Sequence, residues 1–198
     1  DVAGQVIGII QNHVSEVWSP PRVTALASEY GLSPGMAYDI ETKDDLGNPW
    51  DFDKPEQRNK CIKEILTQKP AFLIGSPMCT AFSILQGLNR SKMDPIKWEA
   101  LWNKGVRHML FAIKLYRIQH DAGRFFLHEH PAGATSWQLA CVKKLLSRDS
   151  AERVNGDQCQ YDQANAAGDS IRKATGWMSN SDEVLRSLSD RCPGRSPG

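Results

Sequence analysis

The chain has no apolar run approaching the roughly 20 residues that a membrane-spanning helix needs, and no charged-then-apolar leader pattern at its start. A membrane partner is therefore not expected, and an intracellular location is. Neither sign of charge is in excess: 24 Lys and Arg stand against 23 Asp and Glu, a net charge of +1. Bulk electrostatics thus argue neither for nor against a nucleic-acid partner. Basic residues gather only locally, as Arg90 with Lys92 and Lys97, Lys143–Lys144, and Arg172–Lys173; each reads as solvated surface or as a phosphate contact. The five cysteines (61, 79, 141, 159 and 192) are odd in number and widely spaced, which argues against a disulfide framework and for a reducing compartment. His128 and His130 flank Glu129 with no cysteine pair nearby, so no metal site is expected. There is no internal repeat and no low-complexity segment. The first residue is Asp and the last seven are rich in Pro and Gly, which reads as a fragment of a longer protein.

What is present is an alternation of strand and helix patterns. Val14 to Trp18 reads as a strand ending at Ser19-Pro20-Pro21, and Arg22 to Tyr30 as a helix stopped by Gly31. Met36 to Ile40 reads as a second strand. A polar loop then leads to Trp50-Asp51-Phe52, and Pro55 opens a helix to about Thr67. Residues 71–75 read as a strand, Trp98, Leu101, Trp102, Met109, Ile113 and Tyr116 as roughly one face of a long helix, and 125–128 as a further strand. Residues 134–146 read as helix, and Val154 opens one more strand. Gln5 to Ile10 is a short apolar lead-in. This order predicts an α/β domain with a mainly parallel sheet and helices on both faces. Beyond Tyr161 the pattern weakens, with only 183–188 helical, so a core over 1–160 and a weakly structured or truncated segment over 161–198 are expected.

Chemistry concentrates at strand ends. Cys79 lies in Gly75-Ser-Pro-Met-Cys-Thr-Ala-Phe-Ser83, just past an apolar strand, where open α/β sheets take their ligands. Cys61 and Cys141, on helices, read as small buried apolar residues. A cysteine among Gly, Ser, Pro and Thr is instead a candidate nucleophile. Glu129 follows Phe125-Phe126-Leu127, and strand alternation sends it to one face and both neighbouring histidines to the other. Asp39 and Asp51 also end short segments. An acid after the second strand can accept hydrogen bonds from ribose hydroxyls, or simply cap its loop.

The loop over 75–83 resembles the Gly-Gly-Pro-Pro-Cys-Gln-x-Phe-Ser loop of cytosine-C5 DNA methyltransferases. Leu127-His-Glu129-His-Pro131 is similar to that family's strand end carrying Glu-Asn-Val, and the order of the two motifs matches. Glu16-Val17-Trp18-Ser19 stands where the family has Asp-Leu-Phe-Ala, and Trp50-Asp51-Phe52 where it has Gly-Asp-Ile. The resemblance spans roughly 14–160 and implies a Rossmann-like methyltransferase fold that uses S-adenosylmethionine. It implies that Cys79 attacks C6 of the base while Glu129 holds the protonated N3. For the cofactor it implies stacking by Trp18 and a ribose contact from Asp39 or Glu41. Asp51 would contact the adenine, and Glu16, Ser19 and Pro77 would complete the site. The implied partner is DNA rather than RNA, with the base flipped out, and the implied location in a eukaryote is nuclear.

The chain departs from the family at several points. Pro20-Pro21 replaces the glycine-rich turn, and Met78 and Thr80 replace the Pro and Gln beside the cysteine. The Gln-x-Arg-x-Arg segment is missing, with Gln158, Arg172 and Lys173 as partial substitutes. Ser19-Pro-Pro-Arg-Val23, Gly75-Ser-Pro-Met-Cys79 and His128-Glu-His-Pro131 are also similar to stretches of large mobile-element polyproteins. Two other readings therefore stand beside the methyltransferase. One is a non-catalytic relic of the fold serving as a nucleic-acid-binding or assembly module. The other is a thiol hydrolase pairing Cys79 with His128 or His130.

Overall fold

Six strands build one sheet in the order β2-β1-β3-β4-β6-β5. The computed structural model describes residues 12–83, 86 and 90–194. Strands β1 (Val14–Val17), β2 (Pro34–Tyr38), β3 (Phe72–Gly75) and β4 (Phe125–Pro131) are mutually parallel. β6 (Ala174–Ser179) inserts antiparallel between β4 and β5 (Glu152–Asp157). The chain is thus α/β with a mostly parallel sheet. β1 has β2 on one side and β3 on the other, so the order of strand placement reverses there. The carboxyl ends of β1 and β3 flank the crevice where open sheets bind ligands.

Helix α1 (Val23–Leu26) continues as a 3-10 turn, Ala27–Tyr30, which Gly31 closes at φ 70°. Pro55 opens α2 (Pro55–Gln68) from a position where its missing N–H costs nothing. Asp94 caps α3 (Pro95–Asp121), its carboxylate accepting the Ile96 and Lys97 N–H groups. α4 (Ala140–Leu146) and α5 (Asp182–Ser187) are short. Among the described residues no helix is long and apolar enough to cross a membrane.

The three longer helices, α2, α3 and α4, share one face of the sheet. Val17 and Leu73 pack there with Cys61, Ile65, Phe111 and Leu115. Phe126 and Met178 pack with Tyr116, Trp137, Val142 and Leu145. Gly75 has no room for a side chain, because a Cβ there would run into the Tyr116 hydroxyl. Among the described residues the opposite face carries only α1 near β1 and α5 near β5. Helices do lie on both faces, but very unequally. Between α1 and α5 the sheet is open, with Phe72 and Ile74 half-buried and Phe125 47% exposed.

Two expectations need correction. The segment after 161 is not uniformly weak, because β6 pairs along its whole length with both β4 and β5. Its sequence, Ala-Thr-Gly-Trp-Met-Ser, hides the strand behind a glycine. Gly176 is required there, since a Cβ would lie 2.6 Å from the Trp137 ring. Buried Asp157 then ties the chain beyond α5 back to β5, accepting the Cys192 N–H at 2.9 Å and pairing with Arg191 at 3.2 Å. The second correction is the length of β4, which runs through Glu129 to Pro131, so that Glu129 is a strand residue rather than a loop residue. Gln5 to Ile10 lies outside the described residues.

Candidate functional site

A cleft of about 530 Å³ opens on the sparsely covered face, at the carboxyl ends of β1, β3 and β4. Ile74 and Leu127 form its floor. Trp18, Ser19 and Val23 border one side, and Tyr161, Trp177 and Leu188 the other. Glu129 and Lys173 put opposite charges into it, their Oε1 and Nζ 3.4 Å apart. An apolar floor between aromatic walls, with polar groups such as Ser76, Gln158 and Gln163 around it, suits a flat heteroaromatic ring.

Glu16 borders this cleft but is only 1% exposed. Its Oε1 accepts the Thr24 N–H at 2.7 Å, the Thr24 hydroxyl at 2.8 Å and the Arg22 N–H at 3.0 Å, and its Oε2 accepts the Ser19 hydroxyl at 2.9 Å. The carboxylate thus builds the turn from β1 into α1. Burial alone pushes such a group up, but these donors outweigh it and hold Glu16 below the ordinary carboxylate range. Its stabilising contribution is therefore complete above the unfolded carboxyl value and is lost as pH falls through the depressed one. Glu16→Ala is expected to cost about 2–4 kcal/mol in urea unfolding, because the buried Thr24 N–H and hydroxyl and the partly buried Arg22 N–H lose their acceptor. A loss below about 1 kcal/mol would refute this structural role.

Trp18 follows at the end of β1 with φ 58°, a left-handed conformation uncommon outside glycine. Its backbone N–H is committed to Tyr38 O at 2.9 Å. Its indole N–H donates to His108 Nδ1 at 2.9 Å, and its ring packs edge-on to Phe52 and Phe111. An indole can only donate, so His108 Nδ1 accepts, and the ring proton sits on Nε2, 3.1 Å from Asp53 Oδ1. Burial holds His108 below the usual histidine range, in keeping with this neutral form, although Asp53 pulls the other way. The turn has little to offer an anion: Pro20 and Pro21 lack N–H groups, and the Arg22 N–H belongs to Glu16.

The Cys79 loop leaves β3 beside β4. Gly75 pairs with His128, so Ser76 and Glu129 stand at the same level on neighbouring strands. Ser76 lines the cleft and donates its N–H to Val17 O at 3.1 Å. Cys79 is half-buried and starts the 3-10 turn Thr80–Phe82, its carbonyl accepting the Phe82 N–H at 2.9 Å. Ala81 and Phe82 then sink into the core on the helical side. Pro77 and Met78 present their carbonyls to His130, whose Nδ1 is 2.7 Å from the Ser136 hydroxyl. No well-aligned hydrogen bond forms at His130 Nε2, so this contact is electrostatic and packing support for the loop. His130 stacks on His128 at 5.4 Å, and burial pushes its pKa down to about 4. Both imidazoles are fully buried on the face opposite Glu129.

The structure gathers only some of the expected residues. Glu16, Trp18, Ser19 and Glu129 border the cleft, whereas Cys79, Pro77, Asp39, Glu41 and Asp51 are not among its lining residues. Asp39 Oδ1 takes the Glu41 N–H, and Asp51 Oδ1 takes the Asp53 N–H, so both acids shape their own loops. Glu41 is exposed. No protein-family model matches the chain, and no curated protein does. Sequence reasoning missed Trp177, Tyr161 and Leu188 as cleft walls and His108 with Asp53 as the support of Trp18. Strand pairing and α3 bring these together from 90 positions apart in the case of Trp18 and His108, and no local pattern signals such a contact.

Proposed function

We propose that this domain is a cytosine-C5 methyltransferase-like enzyme, with Cys79 as nucleophile and Glu129 as the acid at N3 of the ring. The observation that carries the reading is the common exit of the Cys79 loop and Glu129 at one edge of adjacent parallel strands, beside a cleft walled by aromatic residues. The Cys79 thiolate forms a bond to C6 of the pyrimidine. The displaced electron pair runs into the ring, and Glu129 supplies and holds the proton at N3, leaving C5 electron-rich. The base has to leave its stack to reach the cleft, so the substrate is a flipped cytosine in DNA, and the place of action in a eukaryote is the nucleus.

S-adenosylmethionine would supply the electrophilic methyl group. The residues suit its adenosine half. Asp39 closes the second strand with one oxygen engaged, and a carboxylate has about four acceptor sites, which leaves capacity for ribose hydroxyls. Trp18 and Ser19 lie one strand away, and Asp51 follows in the next loop. Glu41 is near enough in sequence to share the ribose.

The Ser19-Pro20-Pro21 turn favours the second reading, a non-catalytic relic that binds nucleic acid or serves assembly. It offers the amino-acid end of the cofactor no backbone donors of the kind a glycine turn provides. The hydrolase reading has less support, because no hydrogen bond joins Cys79 to either imidazole among the described residues. Calorimetry with S-adenosylmethionine and covalent trapping on a 5-fluorocytosine oligonucleotide separate the two leading readings. Cofactor binding with trapping is expected. A folded protein that binds no cofactor at millimolar concentration and traps no oligonucleotide is the relic.

A further inference from the structure

A second aromatic surface lies outside the cleft, on the other side of the Cys79 loop. Arg90, in the 3-10 turn Arg90–Lys92, holds its guanidinium 5.5 Å from the centre of the Trp98 ring. Trp98 stacks on Trp102 at 6.1 Å and 28°. Trp102 meets Phe82 edge-on at 5.3 Å, and Phe82 closes the turn that Cys79 begins. A ladder of flat groups thus runs from an exposed arginine to the cysteine loop. It borders a groove of about 700 Å³ that also takes in Met93, Glu99 and Asn103. Trp102 packs against the core, but Trp98 does not belong to it. A large half-buried aromatic that lies outside the core formed by the described residues, beneath an arginine, is placed to meet a ligand.

We propose that Arg90, Trp98 and Trp102 form a stacking platform for unpaired nucleotides of DNA, which leads the strand to the Cys79 loop. Bases stack on tryptophan faces and on guanidinium planes, in a sequence-tolerant way. The local charge suits a phosphate chain. Arg90, Lys92 and Lys97 are cationic, and of the two nearby acids Asp94 is engaged in capping α3. A duplex keeps its bases stacked on one another and presents no free face to such a ladder. The inference rests on the proposed nucleic-acid substrate but not on the methyl-transfer chemistry, so the two can fail separately.

The test is fluorescence anisotropy of a short fluorescein-labelled oligothymidylate at low salt, which contains no cytosine and so leaves the chemistry out. Wild-type protein is expected to bind it more tightly than a duplex of equal length. Trp98→Ala is expected to weaken binding about tenfold, the worth of one stacked base, and Trp98→Phe to restore most of it. Arg90→Ala is expected to weaken it and to flatten the salt dependence. Unchanged circular dichroism and melting of Trp98→Ala exclude unfolding as the cause. Equal affinity of wild type and Trp98→Ala overturns the platform, and so does tighter binding of the duplex. Preference for a proline-rich peptide over the oligonucleotide overturns it as well, since such peptides also dock on aromatic grooves. Trp98-dependent binding without trapping of 5-fluorocytosine overturns the methyltransferase reading alone.

Discussion

Replacing Cys79 with alanine is expected to abolish covalent trapping on a 5-fluorocytosine oligonucleotide and to reduce methyl transfer to background. The bond to C6 is the only covalent link between protein and base. Cys159 also lies beside the cleft, in the 3-10 turn Gln158–Tyr161 whose two ends line it, so Cys159→Ala is the control and is expected to trap as wild type does. Cys61 is fully buried in the core, and burial pushes its thiol well above the usual range. Cys141 lies on α4, where burial also pushes its thiol up. Serine in place of Cys79 should fail too, because a hydroxyl is far weaker as a nucleophile at its free pKa. The fold should survive either change. Among the described residues only the Cys79 carbonyl is used, in the bond from Phe82 N–H, and the substitution keeps it. Trapping by Cys79→Ala at the wild-type level would mean that the nucleophile is elsewhere.

Glu129→Gln is expected to slow turnover by a factor on the order of 10²–10⁴, the usual worth of general acid–base help. Glutamine keeps the shape and an acceptor oxygen but has no acidic proton to give the ring. The same change removes the pairing with Lys173, whose side chain is 51% exposed. A pair that open to water contributes about 1 kcal/mol or less, so the melting temperature should scarcely move. Single-turnover rates and thermal unfolding together separate the two roles. A rate within about threefold of wild type removes Glu129 from the chemistry, since general acids are worth far more than that. A melting point that falls steeply with an unchanged rate per folded molecule would make Glu129 a structural residue.

Much of the architecture was readable before folding. The strands at 14, 72 and 125 follow from short apolar runs between turn formers, and α2 from Pro55 and an apolar stripe holding Cys61 and Ile65. Strand period alone divided 128–130 between two faces, histidines inward and glutamate toward the cleft. β2 was harder to bound. It begins at Pro34 rather than Met36 and ends at Tyr38, because pairing with β1 sets its limits and the composition of Pro-Gly-Met-Ala-Tyr does not. The helix expected over 134–146 divides into a 3-10 turn, Thr135–Gln138, and α4. Trp137 has to turn inward there against β6, with its indole N–H bonded to Pro131 O.

Three features are legible along the chain: the α/β class, the placing of Cys79 in a loop just past a strand, and the absence of a glycine turn after β1. All three depend on local periodicity and on residue chemistry, which act over a few residues. Packing in three dimensions is what crowds the longer helices onto one face and leaves the other open among the described residues. It also brought β6 into the middle of the sheet and so placed Trp177 and Lys173 in the cleft. It turned Glu16 from a candidate ligand contact into the keystone of its own turn. Each of these outcomes depends on which buried donor finds which acceptor, and on which apolar faces meet, across tens to more than a hundred residues. Pairings of that kind lower the free energy only once the whole sheet is assembled, and so leave no periodic trace along the chain.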